Sequence, residues 1–595
     1  AQAPALIAFD VRVKDLHAHL FEVTLSIARP QTEQTVRLPV WIPGSYLVRE
    51  FSKSLQNLQA RQGKTTKAVR QIDKCSWAVT CDATKALTLC YEVYAFDRSV
   101  RTAWLDTQRG FFNGTSLFLS VDAQHDAPHQ LNISERGLPA SWQVATALEP
   151  IKLSSRGTGS YWAENYDALV DAPVEMGTFW SANFKAGGIA HRFVVAGAPP
   201  NFDGQRLLAD TRAICETEIR FWHGAQIRGK QGPQQRNYLF MLNAEDSAYG
   251  GLEHRNSTAL ICKRADLPQL DQSKTPKASD GYTTLLGLIS HEYFHTWNVK
   301  RLRPSEFAQF DYQRENYTEL LWFFEGFTSY YDDLLLRRAK LIDDATYLAL
   351  LAKTVNAVAQ TPGRLVQTVA QASFDAWVKY YRQDENTLNT TVSYYTKGAL
   401  VALCLDLSLR RGGRTNLDAV MRGLWQRCAG GPMTQADLLA VLDALAGESY
   451  AARLQAWVHS TEELPVDELL RAHGLKIEHD AAPMAERLGL RVAEQAGVHV
   501  KVVLRGSAAE AAGLCAGDEC LGVELGTGRE KQGWRLSKLD ELPMYLGQAR
   551  ACTLLVSRDK RLLRLNLTLP EPLMRVRFIA KHAAKVKAWL SPEAA

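Results

Sequence analysis

The hydrophobic period of this chain changes from strand-like to helical between residues 190 and 205, and that change excludes a uniform or repeated architecture. Before it, apolar and polar residues alternate in short runs: FDVRV from Phe9, LFEVTLSIA from Leu20, TVRLPVWI from Thr35, LTLCYEVYAF from Leu87 and TSLFLSV from Thr115. Pro, Gly, Asn and Asp separate them, the pattern of half-buried strands. After it, apolar residues recur at helical spacing in the runs starting at Leu207, Thr283, Thr318 and Lys397. With 595 residues there is room for about four domains. The expected division is a β domain over 1–190, a mainly helical domain over 191–411, a helical subdomain over 412–480 after the Gly412-Gly413 break, a compact unit over 481–572 in which strands bracket two short helices, and a basic C-terminal helix or tail over 573–595.

Composition excludes some functions. A net charge of +5 spread over this length leaves no electrostatic footprint for nucleic acid. No apolar run is long enough for a transmembrane segment. The ten cysteines lack CxxC spacing or a regular framework, which reads as free thiols and favours a soluble protein of a reducing, cytoplasmic compartment. Because the chain does not start with Met, a signal peptide removed ahead of residue 1 would make it periplasmic or secreted.

The strongest local signal is His291-Glu292-Tyr293-Phe294-His295. On a helix, residues i and i+4 project from one face, so both imidazoles can reach one ion while Glu292 stands beside it. Such a site needs a third protein ligand and an open position for water. Glu325, a carboxylate among large apolar residues in LWFFEGF, is the best candidate, since burying its charge is costly unless it is paired or metal-bound. Glu319 is a candidate outer partner for a ligand histidine.

Three weaker signals flank this core. Gly250 and Gly251 allow close backbone approach to a ligand, and Glu253 just after them can hold a cation such as a free α-amine. Tyr395, in YYTKG, can donate a hydrogen bond to a developing oxyanion. Lys300, Arg301 and Arg303 either neutralise acidic neighbours or hold a substrate carboxylate. Alone, each reads equally as turn, packing or surface.

Their order removes much of that freedom. GGLEH, HEYFHTWN, WFFEGF and YYTKG resemble, in sequence, the gluzincin metallopeptidases, of which aminopeptidase N is the best known. With Trp41-Ile42-Pro43-Gly44-Ser45-Tyr46 near the start and PDZ-like sequence at the end, the chain is most similar to the glycyl aminopeptidase family. The resemblance implies a multidomain α+β protein: an N-terminal β domain, a thermolysin-like zinc peptidase domain, a helical subdomain and a C-terminal PDZ-like domain. It implies one Zn2+ per chain on His291, His295 and Glu325, with Glu292 as general base and Tyr395 as transition-state donor. Glu253, with Gly250 and Gly251, would bind peptide substrates by their free N-terminus, with glycine, and alanine after it, as the residue removed.

Two departures from aminopeptidase N stand out. The interval from His295 to Glu325 is longer, leaving an insertion around Lys300 to Asn316, and His254 replaces the Asn of the GxMEN type. In the last unit, Leu488-Gly489-Leu490 resembles a carboxylate-binding loop, so a peptide C-terminus is a second expected partner. The competing functions are a zinc endopeptidase, or a PDZ scaffold with an inactive peptidase domain.

Overall fold

The structure is a computed structural model that describes residues 7–224, 237–272, 278–526 and 528–591. Parts of the two chain ends, on which the leader and tail expectations bear, lie outside those residues. The alternating segments form strands as their period demands. In Ile7–Asp15 and Leu20–Ile27 every second residue, from Ile7 to Val13 and from Phe21 to Ile27, is buried, and the two strands pair antiparallel with Phe9 opposite Leu25. They are the centre of an eight-stranded sheet that shares one apolar core with two four-stranded sheets. An N-terminal β domain is therefore present.

The next sheet begins at Trp180, earlier than the expected boundary at 190. Trp180–Ala186 forms a hairpin with Ile189–Ala196, and both belong to a five-stranded sheet continued by Asn237–Glu245, Ser257–Lys263 and Gly250–Glu253. Gly250–Glu253 is the outer strand, antiparallel to Ser257–Lys263. Its free edge runs beside the HExxH helix.

That helix spans Asp280–Phe294, started by Ser279, whose hydroxyl accepts from the Tyr282 N–H at 3.1 Å. Leu321–Arg338 and Tyr394–Gly412 lie against each other, and two glycines set how closely. A Cβ on Gly326 would come within 2.5 Å of Gly398 Cα, and one on Gly398 within 2.5 Å of the Trp322 carbonyl oxygen. These are backbone atoms with little freedom to yield, so only glycine lets the helices approach. Gly326 follows Glu325 and Gly398 lies three residues after Tyr395; the contact therefore brings two motifs 70 residues apart to one site.

Residues 412–480 do not form a separate body. Leu417, Leu424, Leu438 and Leu469 lie in the same core as Ile289 and Phe294 of the HExxH helix. The C-terminal unit has its own core, built on a six-stranded sheet and including Leu490, Val500, Leu542 and Leu554. It is bracketed by Leu475–Ala481 and Met574–Ala580, which pair antiparallel. The final helix, Ala583–Leu590, buries Trp589, whose Nε1 donates to the Tyr330 hydroxyl at 3.2 Å. The basic C-terminal segment is thus a strand plus a docked helix. All ten cysteines are unpaired, and no helix among the described residues is long and apolar enough to cross a membrane.

Candidate active site

The Nε2 atoms of His291 and His295 lie 3.4 and 3.2 Å from the same atom, Glu325 Oε2. That oxygen is buried and has no hydrogen-bond partner among the described residues. The three groups converge on a common point rather than bonding one another, and a cation at that point satisfies all three. Their other atoms are committed: His291 Nδ1 pairs with Asp332 Oδ2 at 3.1 Å, and His295 Nδ1 donates to the Asn298 carbonyl at 2.7 Å. Each outer partner holds its imidazole with Nε2 free to ligate. Burial alone would lower both histidines, yet the surrounding carboxylates hold both above the usual range. The pocket has an excess of negative charge, and two imidazoles with one carboxylate form the donor set of an open zinc site.

Glu292 stands beside this centre, almost fully buried. Burial first, then the charges of Glu253 and Glu325, push its carboxyl up to about 7 against the pull of the two histidines. It packs against the edge strand so tightly that a Cβ on Gly251 would lie 2.1 Å from its Oε1. Glu253, two residues along the same strand, offers a carboxylate oxygen within 4.8 Å of ligand atoms of Glu292 and His295. That carboxylate is buried and accepts no hydrogen bond from the described residues. Tyr395 faces the metal ligands, its ring 6.2 Å from that of His291 and stacked on Tyr394 and Tyr380. Burial, then the charge of Glu325, holds its hydroxyl well above the ordinary tyrosine range, so it stays a donor.

Of the residues singled out from sequence, Gly251, Glu253, His291, Glu292, His295, Glu325 and Tyr395 therefore lie close together, with Gly250 next along the edge strand. Glu319 does not. It is exposed and precedes the helix that carries Glu325, which starts at Leu321. Asp332 takes the outer role instead, seven residues after Glu325 and so two turns along the same helix face. That spacing was readable in the sequence. His254 turns away from the centre: Nδ1 pairs with Asp171 Oδ1 at 3.2 Å, and Lys300 Nζ meets the same oxygen at 2.7 Å. Arg301 is spent on the carbonyls of Thr296 and Arg255. Arg303 donates to the Phe307 carbonyl and lies over the Phe310 ring. The basic cluster is structural.

The insertion has a definite role in shaping the cleft. Tyr312 accepts from the Val40 N–H through its carbonyl at 2.8 Å, and the Asp311 carbonyl accepts from Trp41 Nε1 at 2.8 Å. Phe307, Phe310 and Trp377 pack around Trp41 and Tyr46. This aromatic cluster pins the WIPGSY loop of the β domain into the catalytic core and delivers Gly44 to Glu253. With φ at +89°, Gly44 sits where a Cβ would be 2.4 Å from Glu253 Oε1, and its carbonyl accepts from the Tyr381 hydroxyl at 3.3 Å. No local pattern marks Gly44 or Tyr381 as site residues, because their partners are more than 200 residues away in the chain.

The N-terminal domain model of the M61 peptidases matches residues 8–178, and the model described as M61 glycyl aminopeptidase matches residues 284–401. The crystal structure of an aminopeptidase N family protein from Idiomarina loihiensis superimposes with a TM-score of 0.90 at 36% identity, over 98% of this chain and 100% of that one. An M1 zinc metallopeptidase from Deinococcus radiodurans matches at 14% identity and a TM-score of 0.48, over 77% of this chain and 94% of that one. At that distance no residue role is transferred. No curated protein matches the chain significantly.

Proposed function

Because the chain belongs to the M61 peptidase family and is a zinc aminopeptidase, we propose that it removes glycine, and alanine after it, from the N-terminus of peptides. Glu253 carries this reading. It is a buried carboxylate with no donor among the described residues, on the edge strand and with an oxygen within 4.8 Å of a ligand atom of His295. A free α-amine is the cation that fits it, and holding that amine leaves only the first peptide bond at the centre. Gly44 and Tyr381 close the space around it, which supports a small first side chain.

His291, His295 and Glu325 would hold the zinc. Bound there, zinc supplies a hydroxide at neutral pH and polarises the scissile carbonyl. Glu292 takes the proton of the attacking water and returns it to the leaving amine, a task suited to a carboxyl poised near neutrality. Tyr395 donates to the oxyanion. The test is a panel of glycyl, alanyl and leucyl peptides, each free and N-acetylated, with and without chelator. Acetylation is expected to lower kcat/KM by at least 100-fold, since it leaves the Glu253 charge buried without a partner. Equal cleavage of the acetylated peptides would make the protein an endopeptidase.

For the C-terminal unit we infer a PDZ-like peptide-docking role. Its outermost strand, Leu490–Ala493, directly follows Gly489, whose φ of +77° ends the helix Met484–Leu488, and the strand's outer edge, unpaired among the described residues, can accept a peptide as an added strand. With Glu292→Gln to prevent turnover, a labelled peptide is expected to bind at least tenfold more tightly with a free C-terminus than with an amide. Equal affinities would leave the unit a structural appendage.

A further inference from the structure

The β domain brings to the cleft two arginines, Arg49 and Arg101, that make no ion pair with a carboxylate among the described residues, the charge of Asp97 acting on Arg49 only from a distance. Arg101, between the strands Leu87–Tyr94 and Ala103–Leu105, reaches the catalytic edge strand, where Nη2 donates to the Gly251 carbonyl at 3.1 Å. Its Nη1 is 3.7 Å from where a Gly250 Cβ would be, and makes no hydrogen bond to the described residues. Arg49, just past the WIPGSY loop, donates through Nη2 to Ser45 Oγ at 2.6 Å. In both arginines Nε is buried without a partner.

The two charges act on each other. Burial first, then repulsion from Arg101, brings the Arg49 guanidinium down to about 10. Tyr381, which touches Gly44 beside Glu253, lies within the field of both Arg101 and Glu325. Other partly buried cations of the same domain are paired: Arg109 with Glu175 at 2.7 Å and Arg37 with Asp122 at 3.0 Å. Both residues are only half-buried, with Nε sealed and the outer nitrogens able to reach the cleft, so the guanidiniums are placed to receive an anion that arrives with a substrate.

Position along the edge strand identifies that anion. Glu253 lies at one end of Gly250–Glu253, Glu292 packs on Gly251, and Arg101 borders Gly250 at the other end. A peptide with its amine on Glu253 and its first carbonyl beside Glu292 therefore runs toward Arg101. An extended residue spans about 3.5 Å, so Arg101 lies one or two residues past the scissile bond. We propose that Arg101, backed by Arg49, receives the C-terminal carboxylate of di- and tripeptides, making short peptides free at both ends the preferred substrates. This rests on the aminopeptidase reading above and adds a length and terminus requirement to it. The role that the sequence offered to Lys300, Arg301 and Arg303 falls instead to two arginines of the other domain.

The experiment measures kcat/KM of the zinc-loaded full chain on Gly-Phe, Gly-Ala-Phe and the pentapeptide Gly-Ala-Ala-Ala-Phe, each as acid and as C-terminal amide. For the di- and tripeptide, the acid is expected to exceed the amide at least tenfold, mainly through KM, while the pentapeptide ratio stays near one. Arg101→Met should bring the short-peptide ratios toward one, and Arg101→Lys should keep part of the preference. A ratio near one in the wild type, or a ratio untouched by Arg101→Met, overturns the proposal. The wild-type comparison stands even where a variant does not fold, and Arg49→Met supplies a second one. Turnover without acid preference sinks this inference alone, whereas no turnover of any free-amine peptide, acid or amide, sinks the aminopeptidase reading with it.

Discussion

Glu292→Gln should lower kcat by about 10²–10⁴-fold while one zinc per chain stays bound, the range that a positioned general base contributes. The side chain packs on Gly251 and lies beside the ligand set without belonging to the His291, His295 and Glu325 triad. Glutamine has the same shape, so the metal centre and the edge strand keep their geometry. What is lost is the capacity to take a proton and return it. The electrostatics sharpen the expectation, because burial and two neighbouring carboxylates bring Glu292 close to neutrality, where it exchanges protons most readily. The measurement is steady-state kinetics with metal analysis on the same sample. A variant that retains zinc and more than a tenth of wild-type kcat would remove Glu292 from the mechanism, and added zinc should restore nothing.

Glu325→Gln should fail differently. Its Oε2 is the atom on which both imidazoles converge, and it has no other partner. Replacing the carboxylate removes the one anionic ligand, so zinc affinity should fall by more than the 10–100-fold that an outer partner such as Asp332 is worth. At limiting zinc, activity should be lost almost completely, and excess zinc should restore part of it. Stability follows from linkage: a ligand at 100 times its Kd adds about 2.7 kcal/mol. Chelator is therefore expected to lower the Tm of the wild type and to leave that of the variant nearly unchanged. A variant that copurifies with a full equivalent of zinc would show that another group, such as Glu253, completes the ligand set.

The parts of the site that sequence reveals are those held by local geometry. His291 and His295 share a face because four residues make about one helical turn, and the expected helix is there. The glycines of EGF and TKG, read only as motif letters, are the point where two helices touch backbone to backbone. Asp332 was within reach of the same reasoning, seven residues beyond Glu325. Glu319 is a candidate only if the helix includes it, whereas the helix is capped at Leu320, starts at Leu321 and leaves Glu319 exposed ahead of it. The domain edge moved from 190 to Trp180 for a similar reason: a strand ending one domain and a strand opening the next have the same period, and only their hydrogen-bond partners separate them.

By itself, then, the sequence supplied the candidates for the chemistry, two imidazoles, a third ligand, a proposed base and a proposed amine anchor, each carried by a few consecutive residues whose spacing sets their direction. Tertiary structure decided which charges are left to act on a substrate. Lys300 pairs with Asp171, and Arg301 and Arg303 are held by carbonyl and ring partners, while Arg49 and Arg101, which carry no motif, reach the cleft held by one hydroxyl and one carbonyl and without an ion pair among the described residues. Whether a charge is neutralised depends on what lies within a few ångströms of it, and for Lys300 and Arg101 that neighbour comes from the other domain, which an aromatic cluster joining residue 41 to residue 377 holds in place.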